Sequence, residues 1–175
     1  MSELLFHDGP HIYMAGKIEL NCWRHTLVPN LPSCEHQNGI LPQPNFVYVR
    51  PYPIGCDHGG FHGSSQHGDM SLRDKTLVRK QLDVVAQCFE GLERCGTLFA
   101  YINAPDCYGT ISEIEYALQN DKYVVIVFDP SANASDFWFI TVRAHRVLVG
   151  VTLEQLPYVF EQVLSQCVEF VCCER

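Results

Sequence analysis

Two apolar segments, Leu98-Phe99-Ala100-Tyr101-Ile102 and Tyr123-Val124-Val125-Ile126-Val127-Phe128, flank a polar, glycine-bearing stretch, Asp106-Cys107-Tyr108-Gly109-Thr110, and the amphipathic run after it. Short uninterrupted apolar runs suit strands buried on both faces. A helix between two such strands acts as a crossover, and the strands it joins then lie parallel. The loop after Ile102 therefore falls at the carboxyl end of a parallel sheet, where folds of this kind hold their ligands.

The remaining segments repeat the alternation. His11-Ile12-Tyr13-Met14-Ala15-Gly16 reads as a short buried strand ending in glycine, which lets backbone approach a ligand closely. Asn21 is placed to cap a short helix carrying Trp23, Arg24 and His25, stopped by Pro29. Phe46 to Arg50 reads as a second strand closed by Pro51 and Pro53. Ser71 with Asp74 forms a capping-box pattern ahead of a helix whose stripe, Leu77, Val78, Leu82, Val85, Phe89 and Leu92, predicts core packing up to Gly96. A further helix is expected from Thr110 to about Asn120, one capped by Ser135 through Arg143, and a last short strand over Arg146 to Val149. Thr152 and Gln155 open a final helix carrying Leu156, Val159, Phe160, Val163 and Leu164. These elements predict one domain over residues 1–175, with inserted loops at about 29–45 and 53–70. The fold class is α/β, a flavodoxin-like three-layer sandwich around a five-stranded, mostly parallel sheet.

Composition removes several function classes. A formal charge of -8, from 20 acidic against 12 basic residues and without a Lys/Arg block, disfavours a nucleic-acid polymer as partner. No apolar run approaches the ~20 residues that a membrane span needs. The nine cysteines are odd in number and irregular in spacing, and no secretory signal pattern precedes them, so reduced thiols in a cytoplasmic setting are expected. Cys88, Cys95 and Cys167 fall in apolar periodic segments, where a thiol behaves as a small hydrophobe.

Three stretches carry candidate chemistry. Glu113 lies in the first turn of the helix expected from Thr110, where the helix dipole favours an ionised carboxylate, the state a nucleophile needs. An acid at that place also fits an ordinary capping box. Trp23 beside Arg24 and His25 offers a ring to stack on a heterocyclic base, and with Lys17 supplies cations for a phosphate. The run Gly55 to Asp69 holds His58, His62 and His67 together with Cys56 among glycines. Two functional readings stand for it: a substrate-gripping loop whose imidazoles and backbone N–H groups converge on a ligand, and a zinc site. The spacing lacks the paired Cys or His of the common zinc modules, and neither a metal nor another cofactor belongs to the leading reading.

Taken together, Ile12-Tyr13-Met14-Ala15-Gly16-Lys17 and Asp106 to Ala117 resemble two motifs of the nucleoside 2-deoxyribosyltransferases and their nucleotide N-glycosidase relatives. The first resembles the family's opening strand and glycine turn, the second its Asp, Gly-Thr, Glu, Tyr-Ala motif, and the element order covers nearly the whole chain. The resemblance implies cleavage or transfer at the N-glycosidic bond of a nucleoside or nucleoside 5′-monophosphate. Glu113 is then the nucleophile on the anomeric carbon and Asp106 the carboxylate that assists the departing base or holds the sugar. Tyr13, Gly16, Lys17, Gly109 and Thr110 belong to the substrate pocket, and a homo-oligomer, a dimer or higher, is implied. This chain departs from the family pattern in having both Cys107 and Tyr108 ahead of Gly109-Thr110 and Glu115 where glycine is usual. A non-catalytic nucleotide sensor on the same fold is the alternative from another class.

Overall fold

The computed structural model describes residues 9–17, 22–28, 31, 40–49 and 75–173. In chain order the elements are β1 (His11–Gly16), α1 (Arg24–Leu27), β2 (Ile40–Pro42), β3 (Val47–Val49), α2 (Lys75–Glu93) and β4 (Thr97–Ile102). They continue with α3 (Tyr108–Gln119), β5 (Tyr123–Phe128), a 3₁₀ turn at Ala134–Phe137 leading into α4 (Trp138–Thr141), β6 (Arg146–Val149) and α5 (Leu156–Cys173). The sheet runs β2-β3-β1-β4-β5-β6. Every pairing except β2 with β3 is parallel.

The five parallel strands stand in the flavodoxin-like order, with β1 between β3 and β4. Connections leaving β1 and β4 turn toward opposite halves of the sheet, so a crevice opens between their carboxyl ends. Alternation along each strand divides the core in two. Ile12, Met14, Phe99, Tyr101, Val125 and Val127 face one layer, closed by Trp23 and Leu27 and by Leu156, Phe160 and Val163 of α5. Tyr13, Ala15, Leu98, Ala100, Ile102, Val124 and Ile126 face the other, covered by Leu92, by Ile114 and Ala117 of α3, and by Phe137 and Ile140. The result is the expected three-layer sandwich.

Phe160 ties α5 to the sheet through two edge-to-face contacts, with Phe46 at 5.1 Å and Phe99 at 5.0 Å between ring centroids. Each such pair contributes about 0.5–1.5 kcal/mol beyond area burial. Phe160→Leu is therefore expected to cost about 1–3 kcal/mol in urea unfolding with an unchanged slope. At the head of α5, Gln155 Oε1 accepts the Thr152 N–H at 3.0 Å, one half of the expected capping box.

The structure corrects several expectations. Among the described residues six strands are present rather than five, because Ile40–Pro42 adds an antiparallel edge inside the stretch expected as a loop over 29–45. Its three residues, one of them Pro42, show no periodicity, and an edge is where a strand tolerates proline. α3 starts at Tyr108, two residues before Thr110. Asn133, not Ser135, caps the turn after β5, its side chain accepting the Ser135 N–H at 3.3 Å. The α2 stripe is only partly core: Leu92 is buried and Phe89 packs on Tyr116 at 4.6 Å, whereas Leu82 and Val85 are 63% and 48% exposed. The side chains of Leu77 and Val78, the cap at Ser71, and the loop over 53–70 lie outside the described residues. Among the described residues, no helix is long and apolar enough to cross a membrane.

Candidate active site

β1 sends Tyr13 to the α2/α3 side of the sheet, where α3 crosses the end of the strand. There the Tyr13 hydroxyl donates to Glu113 Oε1 at 2.6 Å. α3 begins at Tyr108, so Glu113 stands in its second turn and not, as expected, in the first. The dipole, which fades beyond the first turn, is thus not what sets its charge. Burial is the largest influence and raises the Glu113 pKa; the Tyr13 hydrogen bond, the Arg24 charge and a hydrogen bond from the Cys88 thiol act in the opposite direction without cancelling it. Tyr13 is in turn held well above its ordinary value, first by burial and then by the carboxylate beside it. The phenol therefore stays a donor, and Glu113 is a carboxylate set in a confined, hydrogen-bonded place at the crevice between β1 and β4.

If Tyr13 holds the ionised form, Tyr13→Phe raises the Glu113 pKa further. A hydrogen bond to a charged group contributes about 1.5–3 kcal/mol, so its loss is expected to move the acid limb of any Glu113-dependent activity to higher pH by roughly one unit or more. A pH–rate profile of both proteins measures that displacement.

The turn after β1 is organised from inside by Arg24. Its Nε donates to Met14 O and one terminal nitrogen to Gly16 O, both at 2.9 Å, and the other terminal nitrogen donates to Lys17 O at 3.2 Å and to Cys22 Sγ at 3.4 Å. The residue is 1% exposed, and its guanidinium lies 4.7 Å from the Trp23 ring centroid. Burial works to lower the Arg24 pKa, but Tyr48, Cys22 and Glu113 nearby outweigh it, and the net direction is upward. Gly16 is required at this turn: its φ is +153°, and a Cβ would stand 2.8 Å from both Trp23 Nε1 and Tyr101 O.

The expectation that Trp23 and Arg24 face a ligand is corrected by this arrangement. Trp23 is buried, with its ring 5.5 Å from that of Tyr101 and 6.1 Å from that of Phe99. Neither of its faces is open to a base, and the Arg24 donors are engaged by backbone carbonyls and Cys22. His25 is partly exposed on α1 with Nδ1 3.0 Å from Cys22 O. Lys17 and Asp106 are brought together at the crevice rim, where the ammonium lies 3.2 Å from each carboxylate oxygen. The two side chains are 25% and 52% exposed, so this pair contributes little to stability. Thr110 is buried in α3, and Gly109 is exposed with free space where a Cβ would stand. His58, His62, His67 and Cys56 lie outside the described residues. Among the described residues, no three His, Cys, Asp or Glu side chains are grouped to hold a metal.

Glu115 points elsewhere, with Oε2 accepting from Arg143 at 2.5 Å. Two features escaped the sequence reading. Cys88, expected as a buried hydrophobe, is only partly buried, and it contributes to the pKa shifts of both Glu113 and Tyr13. Beyond β4 and β5, Asp129 accepts the Tyr101 hydroxyl at 2.5 Å on one oxygen, and the Ser131 hydroxyl at 2.6 Å and N–H at 2.9 Å on the other. Burial works to raise its pKa, but these donors outweigh it and hold the carboxyl below its ordinary value.

Compared with protein-family models, with curated proteins and with solved structures, the chain matches none. Its function is therefore approached through the chemistry of the crevice itself.

Proposed function

We propose that this protein cleaves or transfers at the N-glycosidic bond of a nucleoside or nucleoside 5′-monophosphate, with Glu113 as nucleophile. The observation that carries this reading is the Glu113 carboxylate, bound by the Tyr13 hydroxyl at 2.6 Å at the topological switch point of a parallel sheet. An oxocarbenium-like transition state draws stabilisation from a nearby carboxylate, which then closes on the sugar. A Glu113 oxygen bonds to the anomeric carbon as the carbon–nitrogen bond breaks, and the base leaves with the bonding electron pair and takes up a proton. Asp106, paired with Lys17, serves the departing base or the sugar. Water or a second base then displaces the sugar from Glu113, restoring the carboxylate.

The same reading makes the protein a homo-oligomer working in the cytoplasm. Exposed Trp138, Phe139 and Val142 give it apolar surface suited to a subunit contact, and the free thiols of Cys22, Cys88, Cys95, Cys107 and Cys167 suit a reducing compartment. The test is incubation with a panel of nucleosides and 5′-monophosphates, with and without an acceptor base, followed by quantification of released base. Release by the wild type and not by Glu113→Ala is expected. Identical behaviour of the two proteins across the panel removes the assignment.

A further inference from the structure

Along α2 the apolar residues Val78, Leu82, Val85, Phe89 and Leu92 are spaced alternately by four and three, the a/d seam by which one helix packs against another. The fold covers only the end of that seam. Leu92 is buried against the sheet, and Phe89 packs on Tyr116 of α3 with ring centroids 4.6 Å apart. One and two turns before Phe89, Val85 and Leu82 are 48% and 63% exposed, with exposed Ala86 beside them. Charge along the same helix is divided. Its three cations, Lys75, Arg79 and Lys80, fall in the first six residues, and its acids, Asp83, Glu90 and Glu93, all follow. The helix dipole favours the reverse, acids in the first turn and bases in the last, and α2 has neither. Glu90 and Glu93 are exposed, the first paired with Arg94 and the second accepting the Tyr116 hydroxyl at 3.1 Å. A carboxylate so engaged keeps acceptor capacity for a further donor.

We propose that the open half of this seam binds a second copy of the chain, α2 against α2, in an antiparallel pair about a two-fold axis. The occupant follows from the charge order: a helix that is basic first and acidic last is complemented by the same helix reversed. With the axis between Leu82 and Val85, Leu82 of one copy meets the partner's Val85, and the basic first turns lie toward the partner's acidic end. Parallel pairing sets cations on cations and acids on acids, so the charges select the antiparallel arrangement. The two helix dipoles then also oppose one another. This takes the homo-oligomer from the reading above and assigns its contact to α2 rather than to Trp138, Phe139 and Val142 of the α4 region.

The experiment is sedimentation velocity of the full chain over a range of concentrations, with thermal unfolding of each protein to establish that it is folded. Wild type is compared with Leu82→Asp, Val85→Asp and Trp138→Ser, and with two charge variants, Arg79→Glu/Lys80→Glu and Glu90→Lys/Glu93→Lys, each alone and in equimolar mixture. Wild type is expected to dimerise, each aspartate substitution to weaken the dimer by about 30-fold or more, and Trp138→Ser to keep it. Each charge variant alone is expected to associate less than wild type, and the mixture to restore the dimer. A dimer that survives both aspartate substitutions, or that is lost only in Trp138→Ser, overturns the α2 contact and leaves the homo-oligomer standing. Charge variants that associate as well as wild type, or a mixture no tighter than its components, overturn the antiparallel pairing even where an aspartate variant fails to fold. A wild type that stays monomeric throughout contradicts the homo-oligomer as well. Base release measured on the same samples tests the glycosidic reading separately, because the α2 contact requires only the second copy.

Discussion

Glu113→Gln is expected to lower base release by about 10³-fold or more and, at neutral pH, to raise the midpoint of thermal unfolding. The amide keeps an acceptor for the Tyr13 hydroxyl but is not a nucleophile, so loss of activity and retention of fold go together. The stabilisation follows from the raised Glu113 pKa, whose first cause is burial. A group shifted in that direction favours the folded state while protonated, and the contribution disappears as pH rises through its folded-state pKa. Above that point the ionised carboxylate is a net burden on the fold, and glutamine relieves it by about 0.5–2 kcal/mol. For a chain of this size that corresponds to ~2–4 °C per kcal/mol. The difference in midpoint is expected to shrink toward zero as pH falls below the ordinary carboxylate pKa of about 4, because wild type and variant are then both neutral at this position. Scanning calorimetry at several pH values reads both the sign and the window.

Arg24→Ala is expected to be the most damaging single substitution for stability. It removes donors from three carbonyls, those of Met14, Gly16 and Lys17, at a position that is 1% exposed. Each buried acceptor left unpaired costs about 1–3 kcal/mol, so a loss of roughly 3–5 kcal/mol is expected from their partial relaxation. This corresponds to a fall of about 6–20 °C in the unfolding midpoint. Arg24→Lys restores little, since a single ammonium cannot reproduce the planar fork that reaches the carbonyls on both sides of the turn. Because the Lys17 backbone is one of the anchored groups, the Lys17–Asp106 pair at the rim is expected to loosen with it.

The parts of this molecule that were legible in the sequence are those with local periodicity. β4, β5, the helix between them and the apolar stripe of α5 are visible as runs and spacings, because a strand buried on both faces or a helix buried on one leaves that imprint. The glycine at the end of β1 was legible too, although the reason for it, the approach of Trp23 and Tyr101, belongs to residues distant in the chain. What stayed hidden depends on contacts across the sheet. Nothing near Arg24 in the sequence shows that its partners are the carbonyls of a turn seven to ten residues earlier. Cys88 has the spacing of a core position on α2, and only the juxtaposition of α2, β1 and α3 makes it a neighbour of Glu113. Glu113 stands out in the sequence by its setting, but the helix that carries it starts two residues earlier than its sequence suggests. A strand-to-helix loop sets the first helical residue through backbone geometry that its side chains specify weakly.

The central claim, a carboxylate nucleophile at the switch point, is tested most directly by trapping the sugar on the protein. Wild type is mixed with nucleosides and 5′-monophosphates in the absence of acceptor base, quenched in acid at short times, digested and mapped by mass spectrometry. A mass increase equal to the bound sugar, confined to the peptide carrying Glu113 and missing from Glu113→Gln, is the predicted result. Base release that proceeds equally in Glu113→Gln, or an adduct on any other residue, contradicts it.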